Sequence, residues 1–146
     1  MASGRVLGVS VDGSEQSLKA FDWCLNNLYR NGDSVVGIII TEYNLSVGVV
    51  PNQDALGKLV KEQEDKVSNL IGQLTDKLKS KSIPGKIVRG SGKVGEAILK
   101  VVETEKVESL VMGTRGLGAF KRAILGSVSE FVVRNSPIPV TIVPNN

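Results

Sequence analysis

Gly113-Thr-Arg-Gly116, nine residues, and then Gly126-Ser127 make up the stretch of this chain best suited to chemistry. The chemistry is the holding of an anion. Before it, Ser109-Leu-Val-Met112 reads as a buried strand, and after it Ser127-Val-Ser-Glu130 can begin a helix. Glycines let main-chain N–H groups approach anionic oxygens, and the first turn of a helix adds unpaired donors and the positive end of a dipole. Three ordered glycines, a hydroxyl and a strand–loop–helix context together read as a nucleotide-phosphate site. The segment from Gly113 to Ser129 holds Arg115, Lys121 and Arg122 and no acidic residue, so it is electropositive. The bland readings are turns and close packing for the glycines, and an N-cap at Ser127 with Glu130 closing a capping box. Capping and phosphate contact use the same helix end, so these readings overlap.

Other chemistries are narrowed by absence. The chain has no histidine, which excludes Ser-His-Asp and Cys-His catalysis and every histidine-ligated metal. Cys24 is alone, so neither an intramolecular disulfide nor a cysteine metal site can form. No carboxylate pair has a spacing that argues for acid–base catalysis, so no catalytic or metal-ligating residue is assigned. The net charge is +3, aromatic residues make up 4%, and there is neither a basic stripe nor a stacking platform, so no nucleic-acid partner is expected. No apolar run approaches the ~20 residues that span a bilayer, and Met1 to Arg5 leads straight into a strand, so no membrane partner and a cytoplasmic location are expected.

The elements that must position the glycine stretch can be read in order. Residues 1–146 read as one domain. Arg5 to Val11 is a central strand, Asp12-Gly-Ser14 a turn, and Ser14 a cap for a helix from about Glu15 to Asn31. Leu18, Phe21, Leu25 and Leu28 fall on one face, and Gly32 closes it. Cys24 on this helix reads as a small apolar core group. Val35 to Thr41 is a second buried strand, followed by a loop from Glu42 to Pro51. A helical pattern runs from about Asp54 to Lys81, with Leu56, Leu59, Val60, Val67, Leu70, Ile71, Leu74 and Leu78 at helical spacing. Gln63, Glu64 and Asp65 interrupt the stripe, so its front half is expected to project or bend. Lys86 to Arg89 is a third strand, Gly95 to Thr104 a helix, Leu110 to Met112 a fourth strand, Val128 to Asn135 a helix, and Val140 to Val143 the last strand.

Strands that are apolar throughout, alternating with helices, predict an α/β fold: a doubly wound, five-stranded parallel sheet of order 3-2-1-4-5 with helices on both faces. Ligands of such sheets bind at the carboxyl ends of strands where the strand order reverses. Strands one and four meet there, so Val11-Asp12-Gly13-Ser14 and Met112-Gly113-Thr114-Arg115 converge on one crevice. Asp12 reads either as a turn residue or as a ligand of what binds there.

At this point the chain resembles the universal stress proteins, members of the adenine-nucleotide alpha-hydrolase-like group, over essentially its whole length. Met112 to Ser129 matches, without a gap, their ATP-binding pattern of Gly, two residues, Gly, nine residues, Gly and a hydroxyl residue. Val9 to Ser14 resembles their first strand and acidic loop, Gly92 to Ile98 the entry of a helix, and Pro139 to Val143 the closing strand. The resemblance implies ATP as cofactor, with or without Mg2+, and a nucleotide-dependent switch of conformation or partners in a stress response. It implies Val11 and Asp12 at the adenosine end, Asp12 near the ribose, and Ile40 meeting adenine through its main chain. Met112 and Gly113 would approach the ribose and first phosphate. Gly116, Gly126 and Ser127 would cradle the phosphates, Val128 and Ser129 would donate from the helix start, and Arg115 would be a phosphate or ribose neighbour. It further implies a homodimer through antiparallel pairing of Val140–Val143. One departure is Ile39, where the family often carries histidine. Two alternatives stay open: a slow Mg-dependent ATP hydrolase, for which the chain lacks an evident base or arginine finger, and a flavodoxin-like or receiver-like signalling domain.

Overall fold

The computed structural model describes residues 4–41, 53–114 and 125–144. The strands are β1 (Val6–Ser10), β2 (Ser34–Thr41), β3 (Gly85–Ser91), β4 (Ser109–Gly113) and β5 (Val140–Val143). The α-helices are α1 (Glu15–Trp23), α2 (Gln53–Ser80), α3 (Val94–Thr104) and α4 (Ser127–Asn135). All four strand pairs are parallel and the sheet order is β3-β2-β1-β4-β5, as the apolar runs predict. Side-chain alternation along each strand sends residues to opposite faces. Leu7, Val9, Val11, Val35, Ile39 and Val111 pack with Ala20, Phe21, Leu70, Leu74 and Leu78 from α1 and α2. Val36, Ile38, Leu110 and Met112 pack with Ile98, Val101, Val102 and Val132 from α3 and α4. Both faces of the sheet are therefore dry, and the polar chemistry is pushed to its ends.

Three boundaries differ from the sequence reading. The first helix was expected to reach Asn31, but α-helical bonding stops at Trp23 and passes into a π-helical turn over Cys24–Leu28. The Tyr29 N–H reaches back five residues to the Cys24 carbonyl at 2.9 Å, and Tyr29 itself is extended. Gly32, expected to close the helix, instead lies in the turn where the Asp33 N–H donates to the Arg30 carbonyl at 2.9 Å. The long helix is unbroken over Gln53–Ser80, but its first buried residue among those described is Leu70. Leu59 is 56% exposed, so the apolar positions ahead of the Gln63–Asp65 interruption are not core positions. The third strand extends to Gly85–Ser91, beyond the expected Lys86–Arg89. Cys24 is fully buried as expected, and desolvation pushes its thiol up to about 12.

At the amino ends of β1 and β2 the chain ties itself with one polar knot. The buried Asp33 carboxylate accepts from the Arg5 N–H at 2.8 Å, the Arg30 N–H at 3.0 Å and the Arg5 guanidinium Nη2 at 2.6 Å. The same Nη2 donates to the Leu28 carbonyl at 2.8 Å, capping the π-helical turn. Hydrogen bonding to the Arg5 guanidinium, opposed by burial, holds the Asp33 carboxyl below the ordinary carboxylate range. A carboxyl depressed in the folded state adds stability that is complete above its unfolded value, about 3.9, and is lost as pH falls through the folded value. Asp33→Asn is accordingly expected to lower the melting temperature by several degrees at pH 7. The gap from wild type should close as the pH is taken below about 4, in parallel thermal melts. A gap that does not change with pH would show that the charge of Asp33 is not what stabilises.

Candidate functional site

The loop leaving β1 is built by its own side chains. The Val11 N–H donates to the Ile38 carbonyl at 2.9 Å and its side chain is buried in the core, so Val11 can offer a ligand only main-chain atoms. Asp12 Oδ1 accepts from the Ser14 N–H at 2.8 Å, which makes Asp12 a turn residue as one reading held. Its own N–H donates to Ser17 Oγ at 3.2 Å, and Ser17 Oγ donates to the Ser14 carbonyl at 2.9 Å. Ser14 Oγ accepts from the Ser17 N–H at 3.2 Å and caps α1 as expected. Gly13, at φ +89°, supplies the left-handed bend between them. Ser17 was not singled out from the sequence. Its signal is a hydroxyl on the buried face of a first helical turn, where it can only serve the backbone around it.

The β4 exit meets this loop edge to edge. The buried Ser129 donates through Oγ to the Gly113 carbonyl at 3.3 Å, tying the first turn of α4 to the end of β4. Asp12, Met112, Gly113, Val128 and Ser129 line one small cavity of about 40 Å³, with Thr114 and Val94 beside them. Five of the predicted site residues thus share one place. Arg115 and Gly116 lie outside the described residues.

Gly126, not Ser127, is the N-cap of α4, with extended backbone (φ −68°, ψ 166°) and no side chain to cap with. Ser127 is the first helical residue and is exposed. Glu130, expected in a capping box, instead pairs with Arg134 at 2.8 Å, one turn on. The chain thus enters the helix one residue earlier than the serine suggests, and the cap falls on a residue with no side chain. Among the described residues, no hydrogen bond uses the Ser127, Val128 or Ser129 N–H groups. A helix start without a side-chain cap is the arrangement that receives anionic oxygens.

On the other side of Asp12 a groove of about 720 Å³ runs between the carboxyl end of β2 and the front half of α2. Asp12, Gly13, Ile39, Ile40 and Thr41 form its floor, and Leu59, Val60, Gln63 and Lys66 its roof. Asp12 lines both the groove and the small cavity and so joins them. The Ile40 side chain packs into the α3/α4 core, which leaves its main chain toward the groove. Sequence reading set the front half of α2 apart from the core at Gln63–Asp65, but it did not place that half over the end of β2 as a roof.

The strand order and the crevice define an α/β protein with a cavity at the β1/β4 strand-order reversal. The sequence model of the universal stress protein family matches residues 5–144. The chain belongs to that family. It is 30% identical to Universal stress protein PHOS34 of Arabidopsis thaliana over 95% of its own length, and it spans 61% of the length of that relative. The solved structure of protein MJ0577 superposes with a TM-score of 0.82 at 21% identity, over 99% of each chain. That of a universal stress protein family protein from Arabidopsis thaliana with AMP bound gives 0.75 at 18% identity, covering 97% of this chain and 92% of the other. At those identities the likeness is one of fold. No helix among the described residues is long and apolar enough to cross a membrane.

Gly113 has a packing role that stands apart from any ligand. A Cβ placed there would lie 2.7 Å from the Gln16 carbonyl oxygen, a backbone atom of α1 that side-chain motion cannot clear. Gly113→Ala is expected to cost roughly 1–3 kcal/mol of folding stability through this overlap. Urea denaturation measures it, and an unchanged midpoint would mean that α1 and β4 are less closely pressed than described.

Proposed function

We propose that this chain binds an adenine nucleotide, ATP foremost, and that the nucleotide switches its conformation or its partners in a stress response. Adenosine lies in the groove, with the Ile40 main chain at adenine and Asp12 at the ribose. The phosphates pass Met112 and Gly113 to the Gly126, Ser127, Val128 and Ser129 start of α4, with Arg115 and Gly116 in the intervening stretch. One observation carries this reading: Asp12 joins a groove of nucleoside size to an uncapped helix start whose N–H groups have no partner among the described residues. The donor set suits an anion. The small cavity, at about 40 Å³, is too tight for a phosphate chain, so the tail lies across its mouth on the first turn of α4. Binding of AMP by a relative of the same fold supports the reading, and the stress role rests on family membership.

Any Mg2+ would arrive with the phosphates, since among the described residues no group of three His, Cys, Asp or Glu side chains could hold a metal. A ligand switches a protein only by binding two of its states unequally, and α4 and the front of α2, on either side of Asp12, are the elements a nucleotide would touch differently. Protein purified from cells and heat-denatured is expected to release an adenine nucleotide identifiable by mass. Gly126→Asp, which sets a carboxylate against the phosphates, is expected to abolish ATP binding in calorimetry while the circular dichroism spectrum stays native. Wild-type affinity in that variant would remove the site.

A homodimer is part of the same proposal. β5 pairs with β4 on one side and has no strand on its other side among the described residues, and its four residues are only partly buried. An open strand edge is a template for a second strand, and antiparallel pairing of Val140–Val143 with its copy would cover it. Light scattering at micromolar concentration is expected to give twice the chain mass; a monomer mass would reject the pairing.

A further inference from the structure

The roof of the groove needs something to hold it in place. Residues 54–66 of α2 contribute no buried side chain, and the helix joins the core only from Val67 and Leu70 onward. Hydrophobic packing therefore anchors the rear half and leaves the front half to polar contacts. One of these comes from β3. Arg89 Nη1 donates to Glu64 Oε2 at 2.8 Å and Nη2 donates to Glu64 Oε1 at 2.6 Å, a two-pronged pairing. The third donor of the same guanidinium, Nε, reaches Thr41 Oγ1 at 3.3 Å. Thr41 is the last residue of β2, is buried, and lies in the floor of the groove beside Ile40. Arg89 is fixed in turn by the sheet, where it pairs in register with Ile39. One guanidinium thus touches both floor and roof.

We infer that the Arg89–Glu64–Thr41 bridge is a positioning device that holds the front half of α2 over the groove and thereby sets its affinity for nucleotide. The affinity part rests on the nucleotide reading given above; the holding part does not. A forked arginine–carboxylate pair fixes orientation as well as distance, which an ammonium group cannot do. The bridge keeps Leu59, Val60 and Gln63 facing whatever occupies the groove. When it opens, only the closed fraction binds tightly, and the apparent affinity falls by that fraction. The Arg89 and Glu64 side chains are 36% and 38% exposed, so the bridge is partly screened by water and salt and its effect is modest.

The test uses Glu64→Gln, Arg89→Lys, Arg89→Met and the pair Glu64→Gln with Arg89→Met. Amide hydrogen exchange in the ligand-free protein reads the holding, and AMP titration by calorimetry reads the affinity. Exchange is expected to rise over residues 54–66 in every variant and to stay unchanged over 70–80, where packing holds the helix. AMP is expected to bind about three- to fivefold more weakly in each. The double variant should be no worse than the worse single one, because both remove the same bridge. Arg89→Lys keeps the charge and is not expected to rescue. Unchanged exchange over 54–66 in all variants overturns the inference whether or not AMP binds. Raised exchange with wild-type AMP affinity overturns the positioning role. A wild-type protein that binds no AMP counts against the nucleotide reading, and the exchange data then decide the bridge alone.

Discussion

Parallel pairing of β1 with both β2 and β4 is the constraint from which the rest of the structure follows. Once β1 sits at the centre, its two neighbours must be reached by crossovers on opposite faces, and both faces become dry. No polar group of the central strands can then serve a ligand except where those strands end. The carboxyl ends of β1 and β4 lie side by side, and the chain turns away from them in opposite directions, α1 over one face and α4 over the other. The gap between those departures cannot be closed by the sheet itself, so it is filled by hydroxyls: Ser14 and Ser17 on one side, Ser129 on the other.

Each of these serines satisfies backbone groups that the turns leave without a partner in the sheet. Asp12 is held by the same network. One carboxylate oxygen shapes the turn, and the residue still borders both cavities. A polar side chain whose orientation is fixed before a ligand arrives gives up little conformational freedom on binding. The Arg5–Asp33 knot at the opposite end of β1 and β2 is the structural counterpart: a buried carboxylate met by a half-exposed guanidinium, at the end of the strands away from the crevice.

How much of this could be read from the residues divides along a physical line. Where a feature is local, the sequence carried it. Apolar runs gave the strands and their parallel arrangement, and Ser14 gave the start of α1. Where two local signals compete, the boundary slipped. Ser127 is a good cap by type, yet the helix takes it in as its first residue and the cap position falls on Gly126. The end of α1 was missed because nothing in Cys24–Leu28 distinguishes a π-helical turn from an α-helical one; the Arg5 side chain that donates to its Leu28 carbonyl comes from 23 residues away. The groove was missed for a deeper reason. The polar break at Gln63–Asp65 separates Leu56, Leu59 and Val60 from the core stripe, but period reports which residues share a face, not what that face meets. Arg89 and Glu64, separated by 25 residues, leave no local trace at all.

The unbroken course of α2 carries a mechanical consequence. Its 28 residues make a rod roughly 42 Å long. The rear of that rod packs in the cluster that holds Phe21, Ile39 and Ile83, while the front reaches over the groove and is tied to β3 by Arg89 and Glu64. The helix is therefore held at two places of unequal strength, a broad apolar seat behind and one ion pair ahead. Loss of the forward tie frees only the turns in front of the seat, and the interior packing of that face stays as it is.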